Sequence, residues 1–252
     1  MKKIGIALGG GGSRGFAHLG VLKALAEKGI KPDIISGTSA GAIVGALLAS
    51  GRTHDEIMEF LKGIQIKDIA KIELPINGLA SLDYLKDKLD EFLGGKTFSD
   101  LKYPLYLAVS NLFTGKVEYI CEGDVSQVVQ ASASIPILFS PVEIGGQLYV
   151  DGGLMDNVPV KPLIGNCDIL IAVDIMPVEN MEGIEGLKEI IIRVFQMSVS
   201  MQKDSKESCD LLIKLDGLSD YTILDTDQNE KIFKVGYNYV KNMDISKIMN
   251  SI

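Results

Sequence analysis

Histidine, cysteine and positive charge are all scarce in this 252-residue chain, and each shortage closes off a class of function. The two histidines, His18 and His54, both fall in the first quarter, so a reaction that needs a late histidine is excluded. Cys121, Cys167 and Cys209 stand apart from one another, which makes neither a disulfide framework nor metal-ligand spacing. Lys and Arg number 25 against 33 Asp and Glu, a formal charge of −8 with no dense basic cluster, and that argues against a nucleic-acid partner. The same charge offers no long-range attraction to anionic lipid, so any membrane contact must be apolar or local. No apolar run reaches the length of a membrane-spanning helix, and Ile4–Leu8 is too short for a signal peptide. A cytoplasmic protein is therefore expected, with at most transient contact at a membrane surface. Nothing in the sequence points to a protein partner.

Repeats, low-complexity tracts and linkers are also missing, so residues 1–252 read as one domain. What is present is an alternation of short apolar runs with helical periods, the pattern of an α/β fold with a mainly parallel sheet. Strands are expected at Ile4–Leu8, Asp33–Ser36, Pro104–Ser110, Lys116–Ile120, Ile169–Asp174 and Leu211–Leu215. Gly145-Gly146 between Glu143-Ile144 and Leu148–Val150 signals a hairpin. Helices are expected at Phe16–Lys28, Ala40–Ala49, Asp83–Leu93, Leu187–Lys203 and Glu230–Met243. Thr53 with Glu56 makes a capping box that starts a further helix through Leu61. The stretch 53–97 breaks the strand rhythm and is a possible cap over a site, with Ile57, Phe60, Leu61, Ile64 and Ile66 as its apolar area.

Three short motifs carry chemistry. Gly37-Thr38-Ser39-Ala40-Gly41 links a strand to a buried helix; small residues allow a tight turn, and Ser39 sits at a helix N-terminus that favours negative charge. That is a nucleophile's position. Gly9-Gly10-Gly11-Gly12-Ser13-Arg14-Gly15 follows the first strand, and its amides can converge on an anionic atom. It is not a Walker A loop, because no Lys-Ser/Thr pair follows. Gly10, Gly12 and Gly15 fit G-x-G-x-x-G, with Asp33 at a spacing suited to a ribose contact, so a dinucleotide-binding oxidoreductase stays open. An oxyanion hole is the other reading, favoured by the serine turn one βα unit later. Asp151-Gly152-Gly153 is, taken alone, an ordinary turn. His18 falls on a packed helix face and His54 beside a helix cap exposed to solvent, and no histidine follows, so an α/β-hydrolase triad is excluded. A nucleophilic Ser39 would need a carboxylate or a lysine as its base.

In this order the three motifs resemble the patatin-like phospholipase family, which includes bacterial and neuropathy-target-esterase-like serine hydrolases. Phe16–Leu22, Ala131–Pro136 and Asp156–Pro159 are similar as well, and the likeness runs from Lys3 to about Asp174. It implies a three-layer α/β/α sandwich and hydrolysis of lipid acyl esters by a serine–aspartate dyad. By position, Ser39 is then the nucleophile and Asp151 the base. Gly10, Gly11, Gly12, Ser13 and Arg14 line the oxyanion hole, with Gly15, Gly37, Gly41, Gly152 and Gly153 as motif glycines. Arg14 could also hold the loop, or an anionic head group. Neither metal nor cofactor is implied, and the expected partner is a lipid or small ester substrate. Asp156, Asp168 and Asp174 are expected as turn or strand-end residues. A lipid-binding protein that keeps the fold without turnover is a further alternative.

Overall fold

The computed structural model describes residues 2–64, 80–177, 183–202, 208–223 and 227–249. The short apolar runs become strands: β1 (Ile4–Leu8), β2 (Ile34–Gly37), β3 (Leu105–Asn111), β4 (Lys116–Ile120), β5 (Val142–Ile144), β6 (Gln147–Asp151), β7 (Ile169–Asp174) and β8 (Leu211–Lys214). The first three, with β7 and β8, lie parallel in the order β3-β2-β1-β7-β8. An antiparallel flank completes the sheet, since β4 and β6 both pair with β3 and β5 pairs with β6. The β5–β6 connection is the expected hairpin, with Gly145 and Gly146 both at positive φ as a primed turn requires.

Helices flank this sheet: α1 (Gly15–Glu27), α2 (Ala40–Ala49), α3 (His54–Gly63), α4 (Asp83–Leu93), α5 (Val125–Ala133), α6 (Gly186–Ser200), α7 (Asn229–Asn242) and α8 (Ser246–Met249). The α/β class expected from the alternation is the one found. Side chains alternate across β1, so Ile4, Ile6 and Leu8 enter a large core shared with α1, α2, α5 and α7. Ala7 points the other way, into a smaller cluster with Leu170 and Ala172, covered by Val158, Val160 and Leu163. A third cluster lies under α6 and joins Ile135, Met176, Phe195 and Ile223.

The structure adds one helix and changes one expectation. Val125–Ala133, where no element was expected, is helix α5, started by Asp124, whose carboxylate accepts from the Gln127 N–H at 2.7 Å. Weak propensity is overridden there by burial of Val125, Val128 and Val129. Of the apolar residues on the possible cap, Ile57 is fully buried, Phe60 and Leu61 pack on the main core, and Ile64 is buried. Ile66 lies outside the described residues. His54, expected in solvent, is half-buried, and that burial lowers its pKa. Among the described residues no helix is long and apolar enough to cross a membrane.

Candidate active site

Strand register alone brings the three motifs to one level. Leu8 of β1 pairs with Gly37 of β2, and Gly37 pairs with Leu107 of β3. Two residues further along stand Gly10, Ser39 and Val109. Opposite Val109 is Asp151, the last residue of β6, delivered to that level because β6 runs antiparallel to β3. Ligands of open α/β sheets collect at this carboxyl edge.

Ser39 sits between β2 and α2 at φ 53, ψ −118, a backbone conformation that costs a non-glycine residue on the order of 1–3 kcal/mol. What holds it there is partly Ser132 of α5, whose hydroxyl accepts from the Ser39 N–H at 3.0 Å and donates to the Ala108 carbonyl at 2.7 Å. Gly41 is required at the turn because a β-carbon there would run into the carbonyls of Leu8 and Gly9. The other motif glycines serve the same close approach: Gly37 faces the Gly41 backbone, Gly15 faces Ala40, and Gly152 faces the Ala108 carbonyl.

Asp151 is fully buried. Its Oδ1 accepts from the Gly153 N–H at 2.7 Å, its N–H donates to the Ser134 carbonyl, and its own carbonyl accepts from the Ser110 hydroxyl. Oδ2 has no hydrogen bond of good geometry, and the side chain that acts on this carboxyl is the Ser39 hydroxyl. Burial pushes the Asp151 pKa from 3.8 up to about 7, against the smaller lowering effects of Gly153 and Ser39.

The glycine loop is pinned from several sides. His18 is buried and donates from Nε2 to the Gly9 carbonyl at 2.6 Å; burial drives its pKa down to about 4, so it is a neutral strut. The Gly10 N–H donates to the Asn157 carbonyl, Ser13 N–H to Ile223, and Arg14 N–H back to Gly11. Gly11 and Gly12 keep amides with no protein acceptor among the described residues. The Gly10, Ser13 and Arg14 amides, expected as donors to a bound oxyanion, are thus engaged within the protein. The Arg14 side chain is fully buried and donates to the Tyr221 carbonyl at 2.7 Å, so it staples the loop and does not reach toward a head group. Asp156, Asp168 and Asp174 have structural partners as expected: the Tyr119 hydroxyl at 2.5 Å, the Lys3 N–H and the Met176 N–H.

Asn157 and Gln202 were not identified from the sequence. Asn157 stands where β-carbons on Gly10 or Gly153 would crowd its Oδ1 at 2.6 and 2.9 Å. Gln202 accepts from the Asn157 N–H at 2.7 Å and donates to the carbonyls of Gly153 and Leu154. No spacing rule could have joined positions 10, 153, 157 and 202. Next to Ser39 opens an apolar cleft, walled by Phe16, Ile43, Leu61, Ile64, Leu85, Ile135, Phe139 and Ile223. It fits a hydrocarbon chain rather than a charged nucleotide. Asp33 removes the dinucleotide reading, because its carboxylate accepts from the Ile4 N–H at 2.8 Å, at the opposite end of β1 from the glycine loop.

A sequence profile described as patatin-like phospholipase matches residues 6–164. An uncharacterised NTE family protein of Mycobacterium tuberculosis (strain H37Rv) is 33% identical over 177 residues, which is 69% of this chain and 49% of that one. Lysophospholipase NTE1 of Saccharomyces cerevisiae is 26% identical over 271 residues, 94% of this chain and 16% of its own. This chain therefore spans about half the length of the mycobacterial relative. Among solved structures, VipD from Legionella pneumophila shares the fold, with a TM-score of 0.58 at 17% identity over 99% of this chain and 67% of that one. The profile covers more than half of the sequence and takes in all three motifs, and the chain belongs to the patatin-like phospholipase family.

Proposed function

We propose that the chain hydrolyses acyl esters of lipids, in the manner of a lysophospholipase or phospholipase A, with Ser39 as nucleophile and Asp151 as general base. One observation carries this reading: a strained serine beside a buried carboxyl, at the wall of an apolar cleft. The name of the yeast relative, a lysophospholipase, supports the substrate class. Ser39, Asp151 and the glycine loop all stand at the ends of strands of one sheet, which favours one catalytic domain over residues 1–252.

In the first half-reaction the acyl chain lies in the cleft and the Ser39 Oγ attacks the ester carbonyl carbon. Asp151 takes the hydroxyl proton; a pKa lifted to about 7 makes it a better match to an alcohol than an ordinary aspartate. Negative charge builds on the carbonyl oxygen and is met by the Gly11 and Gly12 amides, each such donor being worth about 10²–10³ in rate. The C–O bond to the leaving alcohol breaks as Asp151 returns the proton to that oxygen. Water then attacks the acyl-serine, Asp151 takes its proton, and collapse releases the fatty acid and restores the Ser39 hydroxyl.

Labelling with a fluorophosphonate tests the assignment. The adduct should map to Ser39 by mass spectrometry and vanish in Ser39→Ala, which should still fold. An adduct on another serine, or ester turnover that survives Ser39→Ala, rules the nucleophile out. A protein that binds long-chain esters yet neither labels nor turns them over is the lipid-binding alternative.

A further inference from the structure

An enzyme that draws acyl chains from an aggregate needs a surface to meet it, and α6 carries an apolar face that no described residue covers. Leu187, Ile190, Val194, Met197 and Met201 are exposed by 63, 48, 61, 52 and 79%. Their alternating spacing of three and four residues sets them in one stripe along the helix. The other face is buried, where Ile191, Phe195 and Val199 rest on the cluster containing Ile135 and Ile223, two residues that line the cleft. The stripe thus lies one layer above the cleft wall.

A second observation is independent of the helix. Ile137 holds φ 72 and is 59% exposed, although a β-branched side chain is strongly disfavoured in that region. Its neighbours Ile135 and Phe139 line the cleft, so the strained turn holds an isoleucine out into solvent at the cleft's rim.

Charge and orientation narrow the occupant. Across the stripe, from Leu187 to Gln202, the charged residues are Lys188, Glu189 and Arg193, a net of +1 within a chain of net −8. Gln202, just past the stripe, ties the end of α6 to Asn157 and to the turn after Asp151. Whatever α6 rests on therefore has a fixed relation to the catalytic loops. We infer that the α6 stripe and Ile137 dock on the surface of a lipid bilayer and set the cleft mouth against it. The inference rests on the lipid-hydrolase reading for its occupant; a second copy of this chain is the competing one.

The test uses the triple variant Ile137→Gly/Val194→Ser/Met197→Ser, which changes exposed side chains only. Binding is measured by co-sedimentation with phosphatidylcholine vesicles in the Ser39→Ala background, so that lipid is not consumed. Docking predicts at least about a tenfold weaker partition for the variant, from the lost apolar burial. With Ser39 intact, turnover of vesicle-borne phospholipid should fall in parallel, while p-nitrophenyl butyrate turnover stays unchanged and the thermal midpoint does not fall, since glycine relieves the strain at position 137. Unaltered vesicle binding overturns the inference. So does sedimentation equilibrium that finds a wild-type dimer which the substitutions dissociate. Vesicle binding lost in the variant, in a protein that hydrolyses no ester, keeps the docking surface and retires the enzyme reading instead.

Discussion

At Asp151 the property needed for its proposed role as general base is one that works against stability. Its carboxyl must be ionised to accept a proton, so kcat/KM should fall about tenfold per pH unit below pH 7 and level off above it. A limb near pH 4 instead would mean an unperturbed carboxylate. The folded pKa lies above the unfolded one, so the folded state binds the proton more tightly. The contribution to stability is full below about pH 4 and is lost as the pH rises to 7, a span worth roughly 4 kcal/mol at most. Asp151→Asn should therefore abolish hydrolysis yet raise the thermal midpoint at pH 8, with a smaller gain at pH 5. A midpoint that drops equally at both pH values would show that the carboxylate stabilises the fold. His18→Ala should lower stability by leaving the Gly9 carbonyl without its donor, and it should not remove the base.

Among the elements, α5 and α2 matter most to the site. Helix α5 brings Ser132 to the Ser39 amide, and removing that hydroxyl strands a buried N–H at a cost of about 1–3 kcal/mol. If the cost falls on the strained serine turn, Ser132→Ala should reduce kcat by about ten- to a hundredfold with KM little changed. A change confined to KM would place Ser132 in substrate binding. Ile43, on α2, faces the cleft, and Ile43→Trp should cut turnover of dodecanoyl esters while sparing butanoyl ones. Equal losses on both would show that the acyl chain lies elsewhere. Pattern made α2 legible, because a helix apolar all round must be buried. It left α5 unseen, since its β-branched and small residues fit helix or strand and only its neighbours decide.

Over the whole molecule, a charge of −8 sets the expected response to salt. Binding to zwitterionic vesicles should be indifferent to ionic strength, whereas binding to vesicles rich in phosphatidylglycerol should be weaker and recover as salt screens the repulsion. Tighter binding to the anionic vesicles at low salt would point to a local basic patch in place of the apolar stripe.

Local chemistry was enough to place the strands, the serine turn, the glycine loop and the Asp-Gly-Gly turn, because each depends on side-chain period or on residues small enough for a tight backbone. Spacing could also exclude an α/β-hydrolase triad, since no histidine follows His54. It could not tell an oxyanion hole from a nucleotide loop. Register takes away the ribose contact of the second reading, by putting Asp33 and the glycine loop at opposite ends of β1. Nor could it say which loop amides are free, because the acceptors that engage Gly10 and Ser13 come from Asn157 and Ile223, far along the chain. The apolar residues of 53–64 turned inward, and an exposed face emerged on α6, because burial is settled by which surfaces other elements reach, and that is a property of the assembled fold alone.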